Sequence, residues 1–238
     1  MKSNTSEAGD SNVDASPAIV LTTPHCFAME ELPNAGEERA RLQADPSLAS
    51  SSTLYFHLSR GLAYTTGSAL GSTPPPQAAC LSAFVFPNKV GLTAGARAWS
   101  KHAHRSGGVD DPPTADAEGD RSTEKKKKKK AVVPSGWWGT PSGPVAIINE
   151  RALELFWRVT NAASWRNLHW LPHCVLVYEM RVPEGYGMRW SQDQTGFVEP
   201  GSGKIIEGKD EDLKERPWIF RGFVEPMMEN GHEVGWRH

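Results

Sequence analysis

Apolar residues recur with a helical period in one segment of the chain, near residue 150. Leu153, Phe156, Trp157 and Thr160 share one face of such a helix, while Glu154 and Arg158 form an i,i+4 pair on the outer side. Asn149 precedes the segment, and its side chain can accept a hydrogen bond from the first-turn amides. The pattern predicts an amphipathic helix over residues 150–163.

Strict alternation of side chains follows between residues 174 and 182. Leu176, Tyr178, Met180 and Val182 would share one face, which is the pattern of a half-buried strand. Pro183-Glu184-Gly185 supplies turn chemistry, so a second strand is expected over residues 187–191. A third strand is expected over residues 218–225. Residues 200–216 are polar and glycine-rich, and this predicts an exposed insertion.

One pentapeptide occurs twice in this part of the chain. Gly-Phe-Val-Glu-Pro stands at residues 196–200 and again at residues 222–226. The two copies would be equivalent strand ends, each stopped by a proline, or a local duplication in which one copy is structural and the other lies in a loop.

The first 136 residues lack a comparable pattern. Residues 30–43 form a charged, helix-like patch, and the short apolar clusters at 54–56 and 81–86 have the length of weak strands. The six lysines Lys125–Lys130 follow glycine and proline pairs. Residues 1–136 are therefore predicted to be a disordered or low-complexity region, with the lysine run in a linker.

Tryptophan is concentrated in the second part of the chain. Eight of the nine tryptophans follow residue 136, and only Trp99 precedes it. Because aromatic burial supplies most of the core of a small domain, residues 137–238 are predicted to form one Trp-rich domain. The expected fold class is α+β, with one amphipathic helix packed on a small, mostly antiparallel sheet behind a long disordered region.

Charge and cysteine content limit the partners and the cell compartments that the sequence predicts. The net charge is −2, so a broad basic surface for nucleic acid is not expected outside Lys125–Lys130. Three cysteines without a C-x-x-C pair indicate neither a disulfide framework nor a zinc ribbon. No apolar stretch reaches the length of a membrane span, and no secretory signal is expected. These features predict an intracellular protein of the cytoplasm or nucleus, with a plastid as a further option.

The leading hypothesis rests on arginines interleaved with aromatic residues between positions 186 and 238. Arginine stacks on aromatic rings and clamps carboxylates or phosphates, so the group would form a binding surface for a protein or a small anionic ligand. The sequence carries no phosphate loop and none of the strong catalytic motifs. The predicted ligand-binding residues of this small interaction module are Tyr186, Arg189, Trp190, Arg221 and Trp236.

A metal-dependent enzyme is the alternative. His169, His173 and His232 would supply imidazole ligands to zinc or iron, and Glu225 would act as a base. Anionic ligands would come from Cys174, Glu179 or Glu225. A proline at 172 argues against a shared helix for the first two histidines. No cofactor is predicted under the leading hypothesis.

The last part of the chain also resembles a known family. Gly185-Tyr186-Gly187-Met188-Arg189-Trp190, then residues 220–227, then residues 231–238 resemble the C-terminal signature of a family of uncharacterised eukaryotic proteins associated with plants and algae. The resemblance covers residues 165–238. It implies a shared compact domain and no assigned activity.

Overall fold

The computed structural model of the chain describes residues 21–102, 136–199 and 216–227, together with residues 204, 206, 207 and 212. Its helices are α1 (Ala35–Ala44), α2 (Thr53–Ser59), α3 (Gln77–Val85), α4 (Ala94–His102) and α5 (Val145–Ala162), and a 3₁₀ turn covers Pro46–Ser50. Its strands are β1 (Trp165–Leu171), β2 (Val175–Arg181), β3 (Gly187–Asp193) and β4 (Ile219–Val224). Within these residues, no helix is both long and apolar enough to cross a membrane.

The four strands form one antiparallel sheet in the order β1-β2-β3-β4. The hairpin between β2 and β3 closes through Val182, whose amide donates to the carbonyl of Tyr186 at 2.9 Å, and Gly185 adopts a φ of 91° in the turn. A positive φ suits glycine because it has no Cβ. The predicted α+β fold class with an antiparallel sheet is confirmed.

An aromatic core lies between one face of the sheet and the helices α3, α4 and α5. Phe84 of α3 is 1% exposed, and its ring centroid lies 5.1 Å from that of Phe156 on α5 and 4.8 Å from that of Phe220 on β4. The indole Nε1 of Trp190 on β3 donates to the carbonyl of Cys80 at 3.0 Å. The sheet and the helices of the first hundred residues therefore share one core.

The prediction of disorder and low complexity is wrong for residues 21–102. The helix-like patch at 30–43 contains α1, whereas the expected weak strands at 54–56 and 81–86 lie in α2 and α3. These helices have 7 to 10 residues, and helices this short derive their stability from packing on other elements rather than from their own sequence. The lysine run Lys125–Lys130 lies outside the described residues.

Two segments of the first hundred residues border the sheet. Beyond the edge strand β1, the amides of Ala63 and Ala69 donate to carbonyls of Arg166 and Leu168 at 2.7 and 2.8 Å. Residues 24–32, which we call the strap, run past the end of the β2–β3 hairpin. Here the amides of His25 and Phe27 donate to the carbonyls of Ser164 and Pro183 at 3.1 and 2.8 Å.

Three elements differ from the predictions, in their start, their presence or their burial. Helix α5 begins at Val145 after Pro144, and Asn149 is no cap: its amide oxygen accepts from the Thr93 amide at 3.0 Å and its nitrogen donates to the Gly91 carbonyl at 2.9 Å. Strand β1 was not predicted, since Trp165–Leu171 has no clear alternation. Strand β2 is buried on both faces, not half-buried, because Val177, Glu179 and Arg181 are also covered.

The two Gly-Phe-Val-Glu-Pro copies are structurally different. The second copy begins inside β4 and runs out of it at Glu225, whereas residues 196–199 of the first copy form a turn with one bridge residue at Val198. The repeat therefore agrees with a local duplication, with one copy in a strand and one in a loop. The exposed insertion predicted at residues 200–216 lies mostly outside the described residues.

Gly95 on α4 sits where the helix touches the aromatic core. A Cβ atom at this position would lie 2.1 Å from Cζ of Phe84, whose ring is held by its neighbours. We expect Gly95→Ala to lower the free energy of unfolding by about 1–3 kcal/mol, measured by urea denaturation. Gly36→Ala on α1 is the control, since no heavy atom lies within 4 Å of its added Cβ. Equal stability of the two variants would contradict this packing.

Candidate active site

Three polar side chains form a row across the middle of the sheet. In the strand register, Asn167 on β1 is opposite Glu179 on β2, and Glu179 is opposite Arg189 on β3. Residues directly opposite each other on antiparallel strands project from the same face. Asn167 is 5% exposed and Glu179 is 3% exposed. A carboxyl and a guanidinium are therefore held at fixed positions on the face opposite the aromatic core.

Glu179 binds two arginines at once. Nε of Arg181 donates to one carboxylate oxygen, and Nε of Arg189 donates to the other. Arg181 is completely buried, and its NH1 group also donates to the carbonyls of Gly185 at 2.5 Å and Glu225 at 2.8 Å. Burial alone would raise the pKa of Glu179, but the two guanidinium charges and their hydrogen bonds outweigh it and hold the pKa below its ordinary value.

Arg189 is the arginine of this cluster that reaches solvent. Its side chain is 26% exposed, and its terminal nitrogens make no further hydrogen bond to the described residues. The register shifts beside it: Arg189 is opposite Gly222, whereas Trp190 is opposite Phe220. The extra residue in this β-bulge is Arg221, which is exposed. Arg221 is thus the β4 residue between the partners of Arg189 and Trp190.

His169 lies on the same face, one row away. It is two residues after Asn167 on β1, so it is a diagonal neighbour of Glu179 in the register. Burial lowers the pKa of His169 below its ordinary value, Glu179 opposes this effect, and the charges of Arg189 and Arg181 add to it. The imidazole is therefore neutral at pH 7 and able to accept a proton.

Residues of the first hundred hold β1 in place next to this cluster. The Asn167 amide donates to Oγ1 of Thr65 at 2.9 Å and its oxygen accepts from Oγ of Ser68 at 3.2 Å. Ser68 also forms an isolated antiparallel bridge with His169. The edge strand is thereby fixed by backbone and side-chain bonds, so the histidine has a defined position relative to Glu179.

The structure separates the residues predicted as one ligand surface. Trp190 is fully buried in the aromatic core, on the face opposite Arg189, because neighbours along a strand point to opposite sides. Tyr186 is half-buried in the hairpin turn, where its ring stacks on Trp137 at 4.8 Å with an interplanar angle of 11°. Arg189 and Arg221 lie on the neighbouring strands β3 and β4. Trp236 lies outside the described residues.

The predicted metal ligands are likewise not brought together. His173 and Cys174 form the exposed β1–β2 turn with φ of 65° and 57°, whereas Glu225 accepts from Nε1 of Trp138 at 3.0 Å. His232 lies outside the described residues. In the part of the chain that the structure describes, no three His, Cys, Asp or Glu side chains are grouped to hold a metal ion.

The sequence interpretation did not predict the roles of Glu179 and Asn167 in this cluster. Glu179 was considered as a metal ligand alone, and Asn167 was not considered. A signal for Glu179 did exist: it shares a strand face with Arg181, and the short turn at 183–185 sets Arg189 opposite to it. Opposite charges at adjacent positions of one face predict an ion-pair cluster.

Thiol chemistry has no support at two of the three free cysteines. Burial raises the pKa of Cys26 to about 11 and that of Cys80 to about 12. A thiol is nucleophilic as its thiolate, and both groups are protonated at neutral pH.

The neutral imidazole and the guanidinium groups of the cluster suit chemistry on a phosphate ester. His169 would transfer the proton, and arginine would hold the negative charge.

One comparison with known proteins gives a match to a family model. Residues 113–199 match the model of the CdiA C-terminal tRNase toxin domain, over less than half of the chain. The matched segment includes α5 and the strands β1, β2 and β3, and hence Asn167, His169, Glu179 and Arg189. No curated protein and no solved structure is significantly similar to the chain.

This match corrects several interpretations of the sequence. It points to a nuclease activity, so the hypothesis of a small interaction module is wrong, and the metal-dependent enzyme built on His169, His173 and His232 gains no support. The matched family is also not the family without assigned activity that the last part of the sequence resembles. The description of the matched family names transfer RNA as its substrate, which differs from the unknown protein or small anionic ligand expected from the sequence. The description as an uncharacterised, Trp-rich domain is replaced too.

Proposed function

We propose that this protein is a ribonuclease that cleaves transfer RNA. The observation that carries the proposal is that the segment similar to a tRNase toxin domain contains the strands on which His169, Glu179 and Arg189 lie on one face. A histidine poised as a base and an arginine with free donors are the groups that RNA cleavage needs.

The arginines would hold the scissile phosphate. Arg189 has two terminal nitrogens that bond to no described residue, and Arg221 is exposed on the neighbouring strand β4. A guanidinium presents parallel N–H donors that match two phosphate oxygens. The positive charge also stabilises the dianion that develops when a fifth oxygen joins the phosphorus.

Glu179 serves as a positioning residue in this proposal, not as the base. Both of its oxygens accept hydrogen bonds from arginine, and its lowered pKa makes it a weak proton acceptor. Its negative charge keeps Arg189 in one orientation on the sheet. Arg181, which is buried between Glu179 and the hairpin turn, keeps the carboxylate itself in place.

His169 would act as the general base. The neutral imidazole takes the proton of the ribose 2′-hydroxyl while the 2′-oxygen attacks the neighbouring phosphorus. The bond from phosphorus to the 5′-oxygen breaks, and that oxygen takes a proton from water. The products are a 2′,3′-cyclic phosphate and a free 5′-hydroxyl. DNA, which has no 2′-hydroxyl, is not cleaved by this route.

The proposal is tested by incubating the full chain with total tRNA and, separately, with single-stranded DNA. We expect discrete tRNA fragments that end in cyclic phosphate, identified by mass spectrometry, and intact DNA. A His169→Gln preparation purified in parallel controls for contaminating nucleases. Intact tRNA at a tenfold excess of protein, or equal cleavage by the two preparations, would contradict the proposal.

A further inference from the structure

An open cleft lies at the end of the β2–β3 hairpin, outside the proposed catalytic cluster. Its volume is about 590 Å³, which is in the range of small-molecule sites. Phe27 of the strap and Tyr186 of the hairpin provide its aromatic surfaces. The remaining lining residues are Pro183, Glu184 and Pro226. None of these five residues has a part in the mechanism above.

Tyr186 is held firmly enough to act as a stacking surface. Its ring is parallel to that of Trp137 within 11° at 4.8 Å, and the Arg158 guanidinium lies 3.8 Å from the centre of the Trp137 ring. The ring of Trp138 meets Tyr186 edge-on at 5.6 Å. One side of the Tyr186 ring is supported in this way, and Tyr186 also lines the cleft.

Phe27 faces this cleft from a fixed backbone. Its side chain is 61% exposed, although its amide donates to the Pro183 carbonyl at 2.8 Å. A large aromatic side chain kept in solvent at an ordered position is typical of binding surfaces. With Tyr186, it offers two rings to one ligand.

The charge of the cleft selects a base over a phosphate. Glu184 lines the cleft, and Glu184 and Glu225 are both close enough to Tyr186 to raise the pKa of its phenol, in addition to the effect of its burial. Two carboxylates repel a phosphate group. Glu184, the one that lines the cleft, attracts the N–H donors on the edge of a nucleobase, because a carboxylate is an acceptor alone.

The cleft is also placed to receive a nucleotide near the scissile one. Tyr186 precedes Arg189 by three residues along the chain, which corresponds to about 10 Å at the rise of a strand. That distance equals about three stacked nucleotides of one strand. The strap side of the cleft is also close to the cluster, because Cys26 is near Arg181 and Glu179 and is followed by Phe27.

We propose that the cleft between Phe27 and Tyr186 is a subsite for an unpaired guanine of the RNA substrate. This inference rests on the proposed function for its substrate class. The base stacks on the aromatic rings, and the Glu184 carboxylate accepts the two adjacent donors of guanine, N1–H and N2–H. Adenine and cytosine offer one amino group next to an unprotonated ring nitrogen, and uracil offers one N–H between two carbonyls.

The test measures binding without cleavage. Fluorescein-labelled 2′-O-methyl pentanucleotides UUGUU, UUAUU and UUUUU lack the 2′-hydroxyl nucleophile, and their affinities for the full chain are obtained by fluorescence anisotropy. We expect UUGUU to bind about tenfold more tightly than UUUUU, in line with one stacked and hydrogen-bonded base. Equal affinity for the three pentanucleotides would overturn the assignment of guanine.

Variants of the cleft residues test whether the preference for guanine arises in the cleft. Glu184→Gln should remove most of the preference for guanine, and Phe27→Ala should weaken UUGUU binding about fivefold or more without disturbing the core, since Phe27 is mostly exposed. Phe86→Ala is the matched control, because Phe86 is 72% exposed and lies outside the cleft. Unchanged UUGUU binding in both cleft variants would overturn the subsite. Selective binding without any cleavage of tRNA would instead contradict the proposed function and leave the subsite standing.

Discussion

Replacement of His169 by glutamine should lower tRNA cleavage by at least 100-fold while the protein stays folded. Glutamine has a similar length and can form hydrogen bonds, but it cannot take a proton from the ribose hydroxyl. Loss of a general base typically costs 10²- to 10⁴-fold in rate. Single-turnover cleavage of labelled tRNA with excess protein measures this step, and circular dichroism verifies the fold.

His173→Gln is the matched control for this prediction. His173 is four residues further along the chain, exposed in the β1–β2 turn, and has no part in the proposed mechanism. Its variant should cleave at the wild-type rate. Similar losses in both variants would show that His169 has no special role.

The pH profile gives a second readout on His169. Burial lowers its pKa from the ordinary value of 6.5, so the imidazole stays neutral, and active as a base, somewhat below pH 6.5. The acid limb of the single-turnover rate should therefore have its midpoint below pH 6.5. A midpoint above this value would assign the limb to another group.

The hairpin could be predicted from sequence because its determinants are local. Alternation over residues 174–182 and the turn residues Pro183, Glu184 and Gly185 place β2 and β3 within a few residues of the observed bounds. The core of α5 was predicted for the same reason. Its start was not, because Pro144 has a backbone geometry suited to a helix start while Asn149 bonds to a loop 56 residues away in sequence.

The contribution of the first hundred residues to the core could not be predicted, because it depends on contacts between residues that are distant in sequence. Phe84 and Cys80 reach α5, β3 and β4 from α3, and Trp99 Nε1 donates to the Trp138 carbonyl at 3.0 Å. Helix α3 is short and has a weak amphipathic pattern, so its apolar cluster was interpreted as a weak strand. Its order results from the aromatic surface on which it packs.

Net charge does not report where individual charges lie on the fold. A net charge of −2 was an argument against nucleic acid, yet strand pairing and a β-bulge place Arg189 and Arg221 on neighbouring strands. Local groups in a fixed geometry determine whether a phosphate can bind, whereas the total charge governs long-range attraction. The bulge itself has no mark in the sequence, although Arg189 and Arg221 were both predicted as ligand-binding residues.

Glu179→Gln should produce the largest loss of stability among single changes in the site. Arg181 is fully buried, and the variant leaves its cation without an anionic partner. Breaking a buried ion pair on one side typically costs about 3–5 kcal/mol. Urea denaturation at pH 7 measures the loss, and Glu150→Gln on the exposed side of α5 serves as the control. The tRNA cleavage rate should fall as well, because Arg189 loses the acceptor that orients it.

The dependence of this loss on pH separates charge from packing. The pKa of Glu179 is lower in the folded protein than its ordinary value of 4.5, since Arg181 and Arg189 outweigh the effect of burial. The ionised carboxyl therefore contributes stability above pH 4.5, and this contribution is lost as the pH falls through the folded-state pKa. The difference between the wild type and Glu179→Gln should be widest at pH 7 and should narrow below pH 4.5. A constant difference would mean that the shape of the side chain, and not its charge, holds the two arginines in place.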